Sequence, residues 1–212
     1  FRLPRHPIEC TARAAIRCQG RGPPATLGRM RVVDLDRDMS DVIPTSLSPD
    51  SAFLFERMTG VSLDATGVGR GGRVLDVASG FGQDSIALAR RGVRVVGAEP
   101  SARMSAMARA IGDRELGPAE PGPSWAGAWA DALPFADDSF DAALCKGAMD
   151  HFDLPEAAIA EMARVTRPDG RVVLAIANFE SLSCRVGRAV DAVREDWLGR
   201  GPLRVRRGYD TP

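Results

Sequence analysis

The stretch from Arg73 to Gly92, RVLDVASGFGQDSIALARRG, constrains the fold more than any other, because it reads as buried strand, glycine turn and helix in immediate succession. Val74, Leu75 and Val77 form a short apolar run typical of a parallel strand covered on both faces, and Ile86 with Ala89 gives the following segment a helical stripe. In the turn between them, Gly80 and Gly82 let the backbone bend sharply and approach a ligand with no Cβ in the way. The helix opening near Gln83 and Asp84 presents unpaired N–H groups. Such a turn suits a nucleotide-like cofactor. An ordinary structural turn of a Rossmann-type sheet is the plain alternative.

Two cofactors compete for it. A nicotinamide dinucleotide site wants G-x-G-x-x-G with a pyrophosphate on the helix N-terminus, but Ser85 stands at the third glycine position and Asp84 brings a carboxylate to the place of the phosphates. The pattern acid-x-small-x-Gly-x-Gly, here Asp76, Ala78, Gly80 and Gly82, instead resembles motif I of the class I S-adenosylmethionine-dependent methyltransferases. The cofactor of that family carries a cationic sulfonium and an amino acid tail but no phosphate. Ala78 replaces the family's more usual first glycine. Asp76 also has a second account, as a strand-end acid capping nearby backbone N–H groups.

The rest of the chain alternates as a doubly wound sheet requires. Ser48-Pro49-Asp50 gives an N-cap, a proline at the first helical position and an acid in the first turn, opening a helix through Phe55 to Met58. The resemblance implies that this helix flanks the cofactor site, and packing Leu54 and Met58 onto the sheet is the structural alternative. Arg94 to Ala98 read as a second strand, Ser124 to Ala130 as a third and Phe140 to Cys145 as a fourth. Between the second and third, Met104, Met107, Ala108 and Ile111 recur at helical spacing and read as core filling. Pro155 opens a helix with Ile159 and Met162 on one side. Pro168-Asp169-Gly170 is a turn before a fifth strand, Arg171 to Ala177. Leu182, Val186, Ala189, Val190, Val193 and Trp197 then trace an amphipathic helix.

A chain of 212 residues with 44% apolar content suits one α/β domain with a sizeable core. The formal charge of zero gives the whole chain no strong pull toward nucleic acid or an acidic membrane. With no run of eighteen apolar residues and no leader pattern, a cytoplasmic protein is expected. Cys10, Cys18, Cys145 and Cys184 lack paired C-x-x-C spacing, which argues against a metal cluster or a disulfide framework. Lys146 is the only lysine among 28 basic residues, a bias expected of GC-rich codons, so arginine clusters carry little weight. Residues 1–40 are expected to be a disordered arm: Phe1 to Arg31 hold seven arginines, one acid and a Gly-Pro cluster. Residues 41–212 are expected to be the folded domain.

Glu99 closes the second strand, where an acid can accept hydrogen bonds from both hydroxyls of a nucleoside ribose. Asp131-Ala132-Leu133-Pro134-Phe135, followed by Asp137-Asp138-Ser139-Phe140-Asp141, closely resembles the D-x-x-x-L-P-F-x-D-x-S-F-D segment of small-molecule methyltransferases of the ubiquinone and menaquinone biosynthesis type. Glu161 to Gly170, E-M-x-R-V-x-R-P-D-G, is similar to the same family's helix and turn before strand five. The resemblance covers roughly Val61 to Phe179. It implies a doubly wound, Rossmann-like parallel sheet of order 3-2-1-4-5 and S-adenosylmethionine as cofactor. It also implies that Asp76, Ala78, Gly80 and Gly82 hold the methionine end, Glu99 the ribose, and Asp131 with Ala132 the adenine. For Asp131, an Asx turn before Pro134 is the structural alternative.

Methyl transfer from a sulfonium is an in-line displacement, so few catalytic side chains are needed. Lys146, Asp150 and His151 follow strand four at the ligand-binding edge of the sheet. His151 is a candidate proton acceptor and Lys146 a candidate contact for an anionic substrate. Structural roles compete with both. No N/D-P-P-Y/F follows strand four, and neither a Pro-Cys nucleophile nor a paired-glutamate loop is present, which speaks against nucleic-acid or arginine methylation. The expected partner is a small-molecule methyl acceptor, with no nucleic acid and no membrane. The rivals are a nicotinamide oxidoreductase and a cofactor-binding module without turnover. The resembled family continues into a β-hairpin that adds two strands beside strand five. Nothing after Ala177 reads as that hairpin, so the chain is expected to be a fragment, poorly soluble and weakly active alone.

Overall fold

In the computed structural model, the described residues are 49–117 and 120–176, with positions 182, 185, 186, 189, 190 and 193 beyond them. Five parallel strands, β1 (Arg73–Val77), β2 (Arg94–Ala98), β3 (Ser124–Ala126), β4 (Phe140–Lys146) and β5 (Thr166–Ala175), form one sheet of order β3-β2-β1-β4-β5. The helices are α1 (Pro49–Ala65), α2 (Gln83–Arg90), α3 (Ala102–Glu115) and α4 (Pro155–Val165), with a 3-10 turn at Met149–His151. This is the doubly wound α/β class that the strand and helix signals implied.

Side-chain alternation sends β1 and β4 into two cores. Leu75, Val77, Ala143 and Cys145 join Phe140, Met162 and Val165 on one face, while Val74, Ala142 and Leu144 join Leu63, Leu88, Val93 and Val95 on the other. Covering both faces is what an almost uninterrupted apolar run demands, and burying each side chain of this size contributes about 1.5–3 kcal/mol. Asp76 and Lys146 share the parity of Val74 and Leu144, so both fall on the face covered by α1 and α2.

Several local expectations are corrected. β3 ends at Ala126 rather than Ala130, because the chain folds back through a bridge between Trp129 and Ala132. On α3, Ala108 is buried but Met107 is exposed, and Met104 is half-buried near the Gly80 turn rather than deep in a core. Met58 on α1 is also exposed; Ser62 and Leu63, one turn later, are the buried positions. On α4 the buried stripe is Ala158, Met162 and Val165, which leaves Ile159 exposed instead of beside Met162. β5 begins at Thr166, and the Pro168-Asp169-Gly170 turn lies inside it. Thr166 pairs with Phe140 and Arg171 with Ala142, so residues 167–170 bulge out opposite the single residue Asp141.

The N-terminal arm (residues 1–40), the side chain of Leu54 and the segment in which the missing hairpin was sought lie outside the described residues. Within the described sheet, β5 is an outer strand. The six later positions are helical as expected, and Leu182, Val186, Val190 and Val193 are exposed among them. No described helix is long and apolar enough to cross a membrane.

Candidate cofactor and active site

The carboxyl ends of β1, β2 and β4 converge on the turn from Ala78 to Gly82. Ser79 N donates to Ala98 O at 3.2 Å and Gly82 N to Ser79 O at 2.8 Å, fixing the turn against β2. Ala78, Gly80 and Gly82 all have positive φ, at 55, 52 and 74°. At Ala78 a side chain is carried in a conformation that only glycine adopts freely, so the family's usual glycine would relieve strain there.

The two glycines serve different ends. A Cβ on Gly80 would meet only Met104 Cε, at 3.9 Å, so this backbone is open to a ligand. A Cβ on Gly82 would fall inside the Trp125 ring, and one on Gly97 would lie 2.5 Å from it. The bare Cα of Gly82 thus also accommodates Trp125 of β3, a packing role that the sequence reading missed. The available signal was Gly97, a glycine inside a strand, which marks close approach by another group.

Glu99 is buried at the end of β2, where Oε2 accepts from Gly80 N at 3.0 Å and Oε1 from Ser101 N at 2.9 Å. Two backbone donors thus orient the carboxylate, and an ionised carboxylate retains further lone pairs for other donors. Ser79 Oγ, close by, is buried with no hydrogen-bond partner among the described residues. The open Gly80 backbone, the oriented carboxylate and the orphaned hydroxyl fit a nucleoside ligand rich in hydroxyl groups and donors.

Asp76 is buried and accepts a 2.6 Å hydrogen bond from Ser85 Oγ. Burial and the nearby Asp84 carboxylate push its acid up to about 7, against the lowering effects of Ser85 and Lys146. Ser85, the residue that breaks the dinucleotide glycine pattern, is therefore the partner that satisfies Asp76. Asp84 corrects a second part of that argument. Its Oδ1 accepts from Lys146 Nζ at 2.6 Å, so the carboxylate is paired and its repulsion of a phosphate is offset. Lys146 Nζ also donates to Thr59 Oγ1 of α1 at 2.8 Å. Cys145, next in β4, is buried, and burial pushes its thiol up to about 12, which leaves it unreactive.

Asp131 and Ala132 are exposed in the turn that Ala132 N closes onto Trp129 O. The Asp131 carboxylate makes no hydrogen bond among the described residues, which removes the support for an Asx turn. What holds this loop is α4. Glu161 Oε2 accepts from Leu133 N at 2.9 Å, while Arg164 donates to Leu133 O, Phe135 O and Asp137 Oδ1 at 3.0, 2.8 and 2.7 Å and also to Glu161. The two quoted motifs are thus one device, with an i,i+3 pair on α4 gripping the loop that carries Asp131. Asp141 of the same motif faces the opposite edge of the sheet, accepting from Arg73 N at 2.8 Å and pairing with Arg167 at 2.7 Å. His151 is exposed on the 3-10 turn that follows β4.

An all-parallel sheet of order 3-2-1-4-5 whose first strand runs into an acidic glycine turn is the Rossmann-like arrangement of the class I S-adenosylmethionine-dependent methyltransferases, and the comparisons align this sheet with that class. Residues 75–174 match the family described as methyltransferase domain. Among relatives, a demethylmenaquinone methyltransferase of Renibacterium salmoninarum is 40% identical over 113 residues, covering 53% of this chain and 44% of that protein. The chain therefore spans less than half the length of that curated relative. Among solved structures, the YcgJ protein of Bacillus subtilis superposes with a TM-score of 0.54 at 25% identity, over 66% of this chain and 58% of that one. The [4+2]-cyclase SpnF superposes with a TM-score of 0.53 at 27% identity, over 61% and 46%.

Proposed function

We propose that this chain transfers a methyl group from S-adenosylmethionine to a small-molecule acceptor in the cytoplasm, with demethylmenaquinone, the compound for which the relative is named, as the first acceptor to test. S-adenosylmethionine supplies an electrophilic methyl on a cationic sulfonium. The residues of this chain bind and orient the reactants. Asp76 and the Ala78–Gly82 turn receive the methionine end, Glu99 the ribose hydroxyls, and Asp131 with Ala132 the adenine. His151 accepts the proton when the acceptor is a hydroxyl or ring carbon acid. No metal takes part in this scheme.

The observation that carries the reading is Glu99, held by two backbone donors beside a turn whose Gly80 backbone is open. That combination suits a nucleoside whether or not phosphates follow it. The absence of a third glycine and the buried acid at Asp76 favour the phosphate-free, cationic cofactor over NAD. The similarity to a protein named for a cyclisation shows why the fold alone does not fix the reaction. The test is calorimetric titration of the full chain with S-adenosylhomocysteine and, separately, with NAD. Binding of the first alone is expected; binding of NAD alone would replace the reading with an oxidoreductase.

A further inference from the structure

Lys146 stands out twice. It is the only lysine in the chain, against 27 arginines, and its ammonium joins two helices that both lie far from it in sequence. Thr59 of α1 lies 87 residues away and Asp84 of α2 lies 62 away. The Lys146 side chain is 22% exposed and that of Asp84 8%, so the pair is largely removed from water. Two of its three N–H donors are used, and its charge is offset by Asp84. That makes it a weak attractor for an anionic acceptor. A tetrahedral ammonium can reach a carboxylate and a hydroxyl in different directions from one point, whereas the planar fork of arginine prefers partners in its own plane. A composition that favours arginine everywhere else is thus overridden where the geometry calls for a point charge.

The position of α1 gives this contact a consequence. Ala65 O, at its carboxyl end, accepts from Arg171 near the amino side of the sheet, while Thr59 meets Lys146 at the carboxyl end of β4. The helix therefore runs toward the amino edge, and at 1.5 Å per residue the turns before Thr59 extend past the carboxyl edge, where the cofactor turn lies. Building on the proposed function, we propose that Lys146 is a positioning residue that ties the amino-terminal half of α1 to the cofactor turn through Asp84 and so holds this helix across the mouth of the site.

Arg57, inside α1 two residues before Thr59, reports the tie directly, since trypsin cleaves there only when the helix opens. The experiment measures cleavage after Arg57 and, as a control, after Arg114 at the end of α3, in the full chain with and without S-adenosylhomocysteine. Thr59→Val and Lys146→Met are each expected to speed cleavage at Arg57 about ten-fold while leaving Arg114 at the wild-type rate. Thr59→Ser, which keeps the hydroxyl, should restore protection, and Lys146→Arg should not. Lys146→Met should also abolish the added protection of Arg57 by S-adenosylhomocysteine. Unchanged Arg57 cleavage in both Thr59→Val and Lys146→Met would overturn the proposal, as would equal acceleration at both sites, which signals general loss of stability. Because cleavage needs no methyl transfer, the outcome is independent of whether the proposed reaction occurs.

Discussion

Glu99 and Asp76 show how much a single carboxylate depends on what surrounds it. Glu99 is oriented by Gly80 N and Ser101 N, and Glu99→Ala would leave those donors and any ribose hydroxyls without an acceptor. A loss of about 1–3 kcal/mol in S-adenosylmethionine affinity is expected with the fold retained. Calorimetry checks it; unchanged affinity would remove the ribose assignment. Asp76 is pushed up to about 7 by burial and by Asp84, with Ser85 and Lys146 opposing and Cys145 beside it. Between an ordinary carboxylate value of about 4 and this value, the folded chain binds a proton that the unfolded chain has lost. This group therefore makes stability fall as pH rises through that window and level off above it. A cationic cofactor favours the ionised acid, so cofactor affinity is expected to increase from pH 6 to pH 8 with proton release. In Asp76→Asn that pH dependence should disappear; if it persists, another group is its source.

Among the elements, α4 has the clearest dual role. Ala158, Met162 and Val165 bury one face, while Glu161 and Arg164 grip the loop that presents Asp131. Arg164 holds the Glu161 carboxyl below its ordinary range, a contribution to stability present at neutral pH and lost on acidification. Arg164→Ala removes donors from three loop acceptors and is expected to cost about 2–4 kcal/mol in stability while weakening cofactor binding. Urea unfolding and calorimetry together decide whether both effects appear; loss of stability alone would detach the loop from cofactor binding. The sequence displayed this element well. Its proline start and its E-M-x-R motif were both legible, but the identity of the partner loop was not, because the contacts span 27 to 31 residues and depend on tertiary packing. Helical spacing likewise identified α3 and α4 but placed Met107 and Ile159 on the wrong side. A stripe can be drawn through several nearby residues, and the neighbouring strands decide which of them it covers.

Across the whole molecule the two edges of the sheet divide the work. The carboxyl edge carries the turn, Glu99, Lys146 and His151, and the amino edge is fastened by Asp141 to Arg73 N and Arg167. Asp141→Ala is expected to lower the melting temperature by several degrees while leaving cofactor affinity unchanged, since it removes hydrogen bonds only at the far edge. A changed affinity would mean that the edges are coupled. The succession of strands and helices and the acidic turn were readable because periodicity and glycine placement are local signals, while the strand order was implied by the family resemblance. The Lys146–Asp84–Thr59 tie and the packing of Trp125 over Gly82 were not, since each joins separate elements. The proposed role of this site is to hold S-adenosylmethionine for methyl transfer. Its most direct test is to incubate the full chain with methyl-labelled S-adenosylmethionine and demethylmenaquinone and follow the label. Labelled product in wild type, reduced at least ten-fold in Glu99→Ala, is the predicted result. Tight binding of NAD together with no binding of S-adenosylmethionine and no label transfer would contradict it.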